Sequence, residues 1–154
     1  MTPSSPALWS CLPDLPLAWD RLPEHGVTLP DGTALRCTHA PDGTGYLTVT
    51  LHESESFEEL YDGRGAYTEE EHDDPDTVVE ARWTEAQRVM DARVAEATAV
   101  LGPPSADPAS SLYLNWPLPG RTVSVGLFQA DRECPVEVCV CLLPPGQTPG
   151  GLGL

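Results

Sequence analysis

The most concentrated chemistry in the chain is a run of carboxylates at positions 53–76, here called the acidic segment. Its 24 residues hold 11 of the protein's 24 acidic side chains and a single arginine, Arg64. The acidic residues are Glu53, Glu55, Glu58, Glu59, Asp62, Glu69, Glu70, Glu71, Asp73, Asp74 and Asp76. Like charges at this density repel one another, so a cation or a basic partner would stabilise the segment. It is therefore the first candidate for a binding surface.

Positions 69–74 carry three glutamates, a histidine and two aspartates in a row, which raises the question of a metal ion. A calcium loop spaces its ligands at alternate positions around a glycine turn. This run has neither feature, so we predict no metal site. We interpret the segment either as a solvated approach to a helix N-terminus or as a docking surface for a basic protein. The residues predicted to bind that partner are Glu58, Glu59, Tyr61, Asp62, Tyr67, Glu69, Glu70, Glu71 and Asp73.

Five cysteines and four histidines are scattered along the sequence without a catalytic or zinc-binding motif. Cys139 and Cys141 fall two apart in a predicted strand, so both side chains point to the same face. No Cys-x₂-Cys pair accompanies them or Cys134. We predict free, reduced thiols, no catalytic residue and no cofactor. A Cys–His site assembled from distant positions stays open.

Composition narrows the classes of partner. The formal net charge is −16, and all eight basic residues are arginines. Nucleic acids and anionic membranes require a basic contact face, so we expect neither as a ligand. The sequence shows no apolar run of the roughly 20 residues that span a membrane and no signal-peptide pattern. These features predict a cytoplasmic protein.

Period-two alternation predicts strands on both sides of the acidic segment. Residues 33–39 and 45–52 are expected to form a hairpin, and residues 57–61 a charged edge strand. Residues 111–116, 121–129 and 136–142 are expected to form three more strands. Each of these shows alternation that is typical of a strand with one buried face. A short helix is expected within residues 7–22, where Pro13 and Pro16 limit its extent.

A long helix is predicted over residues 75–101. Asp74 suits the N-cap, Pro75 suits the first helical position, and Gly102 with the following prolines ends the helix. The apolar stripe comprises Val79, Trp83, Ala86, Met90, Val94, Ala97 and Leu101. We expect Trp83 and Met90 to be buried against a sheet.

These elements predict an α+β fold, with an antiparallel sheet of five to six strands. The long helix and the short N-terminal helix would pack on one face. Residues 1–143 would form a single domain, and the Pro- and Gly-rich residues 144–154 a disordered tail.

The C-terminal third combines Leu101-Gly102-Pro103-Pro104, Trp116, the strand around residues 123–127 and residues 131–135. In this pattern it resembles small uncharacterised actinobacterial proteins, including immunity-protein-like families of polymorphic toxin systems. The resemblance implies a non-catalytic binding protein and brings no catalytic residues.

Three functions are compatible with the sequence. The first is a cytosolic immunity or inhibitor protein for a basic partner, where charge complementarity gives fast association. The second is a small enzyme or small-ligand-binding protein that uses the open face of the sheet, with Cys139 or a histidine in the pocket. The third is an accessory structural protein whose acidic surface only keeps it soluble.

Overall fold

A computed structural model describes residues 6–154, so the first five residues of the predicted domain lie outside the described part. The fold is α+β. Its helices are α1 (Pro6–Cys11), α2 (Glu58–Asp62), α3 (Glu69–Asp73) and α4 (Pro75–Leu101). Its strands are β1 (Val27–Thr28), β2 (Ala34–His39), β3 (Gly45–Glu53), β4 (Ser105–Ala106), β5 (Tyr113–Leu118), β6 (Arg121–Phe128) and β7 (Glu137–Leu143).

The strands form one sheet in the order β1-β2-β3-β7-β6-β5-β4, and every neighbouring pair is antiparallel. The sheet has seven strands in the described chain, where five to six were expected. The strands β1 and β4 have only two residues each, which is too short to show alternation. The chain leaves the sheet after β3, passes through α2, α3 and α4, and returns to it at β4.

The long helix begins and ends as predicted, at Pro75 and Leu101. Asp74 precedes it, but its side chain accepts no hydrogen bond from a backbone N–H of the helix. Instead, Asp74 Oδ2 accepts a hydrogen bond from the Thr77 hydroxyl at 2.7 Å. At the other end, Trp116 Nε1 donates to the carbonyl of Gly102 at 2.7 Å, which ties the helix terminus to β5.

The apolar face of α4 packs on the sheet over β3, β6 and β7, and α1 packs against α4. Buried residues of this helix are Val78, Ala86, Met90 and Ala97. Met90 is buried as predicted, but Trp83 is only half-buried at the margin of the core. Val78, which is not part of the predicted stripe, is buried. The buried face of the helix therefore extends towards Val78, and Trp83 lies at its opposite edge.

One local prediction was wrong. Residues 57–61 do not form an edge strand, because Phe57 and Leu60 are both buried and their three-residue spacing suits the helix α2. The short helix expected within residues 7–22 runs from Pro6 to Cys11, since Pro13 and Pro16 follow so closely. Trp19 lies beyond that helix and donates from Nε1 to the carbonyl of Gly120 at 3.0 Å.

The central strands β6 and β7 are buried on both faces, which corrects the expectation of one buried face per strand. The face opposite α4 is here called the second face. Gly126 of β6 lies there against the ring of Tyr113. Residues 144–154, for which composition predicts disorder, form turns, and Leu152 packs against Ala40, Cys141 and Leu143.

Candidate functional site

The acidic segment is attached to the body of the protein at its start. Phe57 and Leu60 project into the main core and are 0% and 1% exposed. The backbone N–H of Phe57 donates to the carbonyl of Glu133 at 2.8 Å, and Ser56 Oγ donates to the same carbonyl at 3.1 Å. Residues 131–133 of the β6–β7 connection therefore border the acidic segment.

The second half of the segment is organised by a capping box on α3. Thr68 Oγ1 accepts a hydrogen bond from the Glu71 backbone at 3.1 Å, and Glu71 Oε1 accepts one from the Thr68 backbone at 2.8 Å. This reciprocal pair satisfies two amides that a helix start leaves free. Glu71, predicted to bind a partner, is thus also used inside the fold.

Glu55 links the segment to the long helix. Its carboxylate accepts hydrogen bonds from Arg82 Nε at 2.9 Å and from the Tyr67 hydroxyl at 3.0 Å. Partial burial raises the pKa of the Glu55 carboxyl, but the bonds from Arg82 and Tyr67 outweigh it and leave that pKa below its usual value. Burial and the hydrogen bond to Glu55 raise the pKa of Tyr67 to about 12.

The two tyrosines expected to anchor a partner are already engaged within the molecule. The guanidinium of Arg132 lies 4.5 Å from the ring centre of Tyr61, a cation–π contact. The ring of Tyr67 meets that of His72 edge-on at 5.9 Å. Both tyrosines are half-buried, so part of each ring is already used in contacts within the protein.

The remaining predicted residues form an exposed carboxylate surface. Glu58, Glu59, Asp62, Glu69, Glu70 and Asp73 are all exposed. Arg64 lies 3.0 Å from Asp62 and 4.0 Å from Glu58. Exposed ion pairs of this kind contribute little stability. Because Arg64 is the single arginine of the segment, most of the negative charge on this surface is not neutralised.

A groove of about 380 Å³ lies where α3 meets the first turns of α4. Three carboxylates, those of Glu70, Glu71 and Asp74, line it together with Arg82. Val78 and Ala81 contribute apolar surface. The groove therefore combines carboxylates with an apolar wall.

The sequence pattern indicates the acidic segment, but not the residues of other elements that contact it. Arg82, Val78 and Ala81 line the groove from α4, and Glu133 binds the backbone of Phe57. Arg82 is 27 residues from Glu55 in sequence, and no local pattern links them. Val78 is an apolar residue within the predicted helix. It lies one position before Val79, the first residue of the predicted stripe, so it was not expected on the buried face.

Nothing matches this chain among protein-family models, curated proteins or solved structures. The resemblance to immunity-like proteins therefore stays a prediction. Within residues 6–154, no three His, Cys, Asp or Glu side chains are grouped so as to hold a metal ion. In the same range, no helix combines the length and the apolar character needed to cross a membrane.

Proposed function

We propose that this protein acts by binding rather than by catalysis, and that it docks a basic protein on the acidic segment. The relationship would be that of an inhibitor or immunity protein with its target, in the cytosol. All five cysteines are free thiols, which supports a reducing compartment. Nucleic acid and membrane lipid are not expected as ligands of so acidic a chain.

The observation that carries this proposal is the groove between α3 and α4. An arginine or lysine side chain has an apolar stem and a charged head. Val78 and Ala81 match the stem, while Glu70 and Asp74 match the head. Because both tyrosines of the segment are engaged internally, we expect the partner to supply the anchoring side chain.

The docking surface extends beyond the groove. The β6–β7 connection carries Asp131, Arg132 and Glu133, and hydrogen bonds join Glu133 to Ser56 and Phe57. The acidic segment and this connection therefore form one continuous surface. Buried Phe57 and Leu60 already hold the acidic segment in place. Binding therefore costs this segment less conformational entropy, which favours affinity.

Two alternatives remain distinct from this proposal. A protein whose acidic surface serves only solubility would have no partner that depends on Glu70 or Asp74. A small enzyme or ligand-binding protein would use the second face of the sheet, where Cys139 lies. Both alternatives predict that neutralising the groove leaves association with other proteins unchanged.

The test begins with affinity capture from the native host and mass spectrometry. The captured partner is then purified, and its association rate is measured over a range of salt concentrations. We expect the double variant Glu70→Gln/Asp74→Asn to slow association and to flatten its salt dependence. Asn at position 74 keeps an acceptor for the Thr77 hydroxyl, so the helix start should persist.

The matched control is Asp20→Asn/Glu24→Gln, which removes the same charge from exposed positions outside the acidic segment. It should alter the association rate much less than the groove variant. Equal effects of the two variants would mean that overall charge, and not the groove, attracts the partner. An unchanged rate in both would leave the acidic segment as a solvated surface.

A further inference from the structure

A second cavity lies on the second face of the sheet, which the proposed docking surface does not use. Its volume is about 240 Å³, larger than the engineered cavity of about 150 Å³ that holds benzene in another protein. Three aromatic rings line it, those of Tyr46, Tyr113 and Phe128, together with Cys139. It therefore has room for one aromatic ring and a short substituent.

The strand register builds one wall of this cavity. Gly126 of β6 pairs with Tyr113 on one side and with Cys139 on the other. A side chain at position 126 would overlap the ring of Tyr113. The missing side chain of Gly126 thus lets Tyr113 lie flat on the sheet beside Cys139, where it forms an aromatic surface.

Polar atoms in the cavity lack partners within the protein. In the described part of the chain, the hydroxyls of Tyr46 and Tyr113 make no hydrogen bond, and neither oxygen is among the fully buried atoms that lack a partner, so both are open to solvent or to a ligand. Burial raises the pKa of Tyr46 to about 12 and also raises that of Tyr113. Both hydroxyls therefore keep their protons at neutral pH and can donate to a ligand.

Among the described residues that line the cavity, Arg36 is the only cationic one. It pairs with Thr48 across the β2–β3 register, on the same face of the sheet. Among residues 6–154 it forms no ion pair and no hydrogen bond, although the chain has 24 acidic residues. Without this local cation, a protein of net charge −16 would not attract an anion.

We propose that this cavity binds a small carboxylate with an aromatic body. The ring of the ligand would lie among Tyr46, Tyr113 and Phe128, and its carboxylate would pair with Arg36. Arginine is suited to carboxylates because its planar fork can donate two parallel hydrogen bonds. Flat aromatic faces favour an aromatic body over an alkyl chain of equal length.

The thiols in the cavity indicate binding rather than covalent chemistry. Burial raises the pKa of Cys139 to about 11 and that of Cys141 to about 12. A nucleophilic cysteine requires the thiolate form, which is scarce at neutral pH in both. We therefore assign these thiols to the cavity wall.

The test is a titration of the full-length protein with 3-phenylpropanoate, followed by the backbone NMR signals. We expect saturable shifts at Gly126, Cys139 and Thr48, with a Kd on the order of 1 mM or tighter. Arg36→Gln should weaken binding about tenfold, because it removes a charge-assisted pair. The neutral analogue 3-phenylpropan-1-ol should bind the unmodified protein about as weakly as the acid binds that variant.

The matched control is Arg88→Gln, which removes an exposed arginine from α4 on the other side of the sheet. It should leave the Kd unchanged. The proposal is overturned if no saturable shift occurs, if the shifts map to the α3–α4 groove, or if the alcohol binds as well as the acid. It is also overturned if Arg36→Gln binds like the unmodified protein while its urea unfolding is normal.

Discussion

Gly126, which has no side chain, determines how the second face of the sheet packs. At Gly126 any side chain would overlap the Tyr113 ring, and the added Cβ would also come within 2.7 Å of the Leu112 carbonyl oxygen. Close packing of this kind makes the strand pair specific, because neither neighbour can move without disturbing the ladder. Gly126 and Tyr113 therefore act as one unit.

We predict that Gly126→Ala destabilises the protein by about 1–3 kcal/mol, as overpacking of a closed site does. Urea unfolding measures this loss. In a Tyr113→Leu background, the same substitution should cost less, since a flexible side chain can give way and only the contact with the Leu112 carbonyl oxygen remains. An equal cost in both backgrounds would show that the strain does not involve the Tyr113 ring.

The cysteines differ in their environment, and their reactivity should follow it. With pKa values of about 11 and 12, Cys139 and Cys141 have a thiolate fraction of about a thousandth or less at pH 8. We predict that a thiol reagent modifies them last in the native protein. After denaturation, five thiols should react. A count of one, with two disulfides, would contradict the expected reducing compartment.

At the scale of elements, α4 joins the helices to the sheet. Met90 is 5% exposed and lies in the main core, whereas Trp83 is half-buried at its margin. We predict that Met90→Ala costs about 2–5 kcal/mol in urea unfolding, and that Trp83→Ala costs less than about 3 kcal/mol. The exposed Thr84→Ala should stay within about 0.5 kcal/mol. A larger loss at Trp83 than at Met90 would mean that the helix face is misassigned.

A buried carboxylate adds to the packing of Leu152 in holding the C-terminal segment to the sheet. Asp107 is 7% exposed and accepts hydrogen bonds from Ala109 N at 2.9 Å and Gly150 N at 3.0 Å. Burial raises the pKa of this carboxyl, but the bonds from the Gly150 and Ala109 amides outweigh it and hold the pKa below its usual value. The charged form therefore stabilises the fold.

We predict that Asp107→Asn lowers the free energy of unfolding by about 1–3 kcal/mol at neutral pH and speeds amide exchange in residues 148–152. Because the folded pKa is depressed, this contribution is complete above the unfolded value of about 3.9. It is lost as pH falls through the lower folded value. The gap between variant and unmodified protein should thus narrow in acid. A gap that is constant with pH would exclude the carboxylate as its source.

Sequence patterns predicted the helices and strands whose limits are set by neighbouring residues in the chain. The limits of α4 follow from Pro75 and Gly102, and those of β2, β3, β6 and β7 from alternation, to within one residue. In a run as short as residues 57–61, two apolar residues do not distinguish a strand from a helix. The charged residues between Phe57 and Leu60 favoured an edge strand, and that prediction was wrong. The groove, the burial of Leu152 and the position of Arg36 depend on contacts between distant parts of the chain, which periodicity does not contain.

Charge acts on the molecule as a whole. The acidic segment, with 11 carboxylates and one arginine, carries −10 of the net charge of −16, so repulsion there opposes the compact state. We predict that raising sodium chloride from low to moderate concentration stabilises the protein on the order of 1 kcal/mol, or about 2–4 °C in Tm. Glu70→Gln/Asp74→Asn should reduce this gain more than Asp20→Asn/Glu24→Gln. No salt dependence would mean that the carboxylates are already screened.

The pairing of β3 with β7 bears on how the protein is made. Thr48 and Cys141 face each other across this pair, so the middle of the sheet depends on two segments that are 93 residues apart. A ribosome must therefore release most of the chain before β3 gains its second neighbour. High contact order of this kind slows folding and leaves strand edges exposed for longer. Until β7 arrives, the apolar face of β3 is open to chaperones and to other nascent chains.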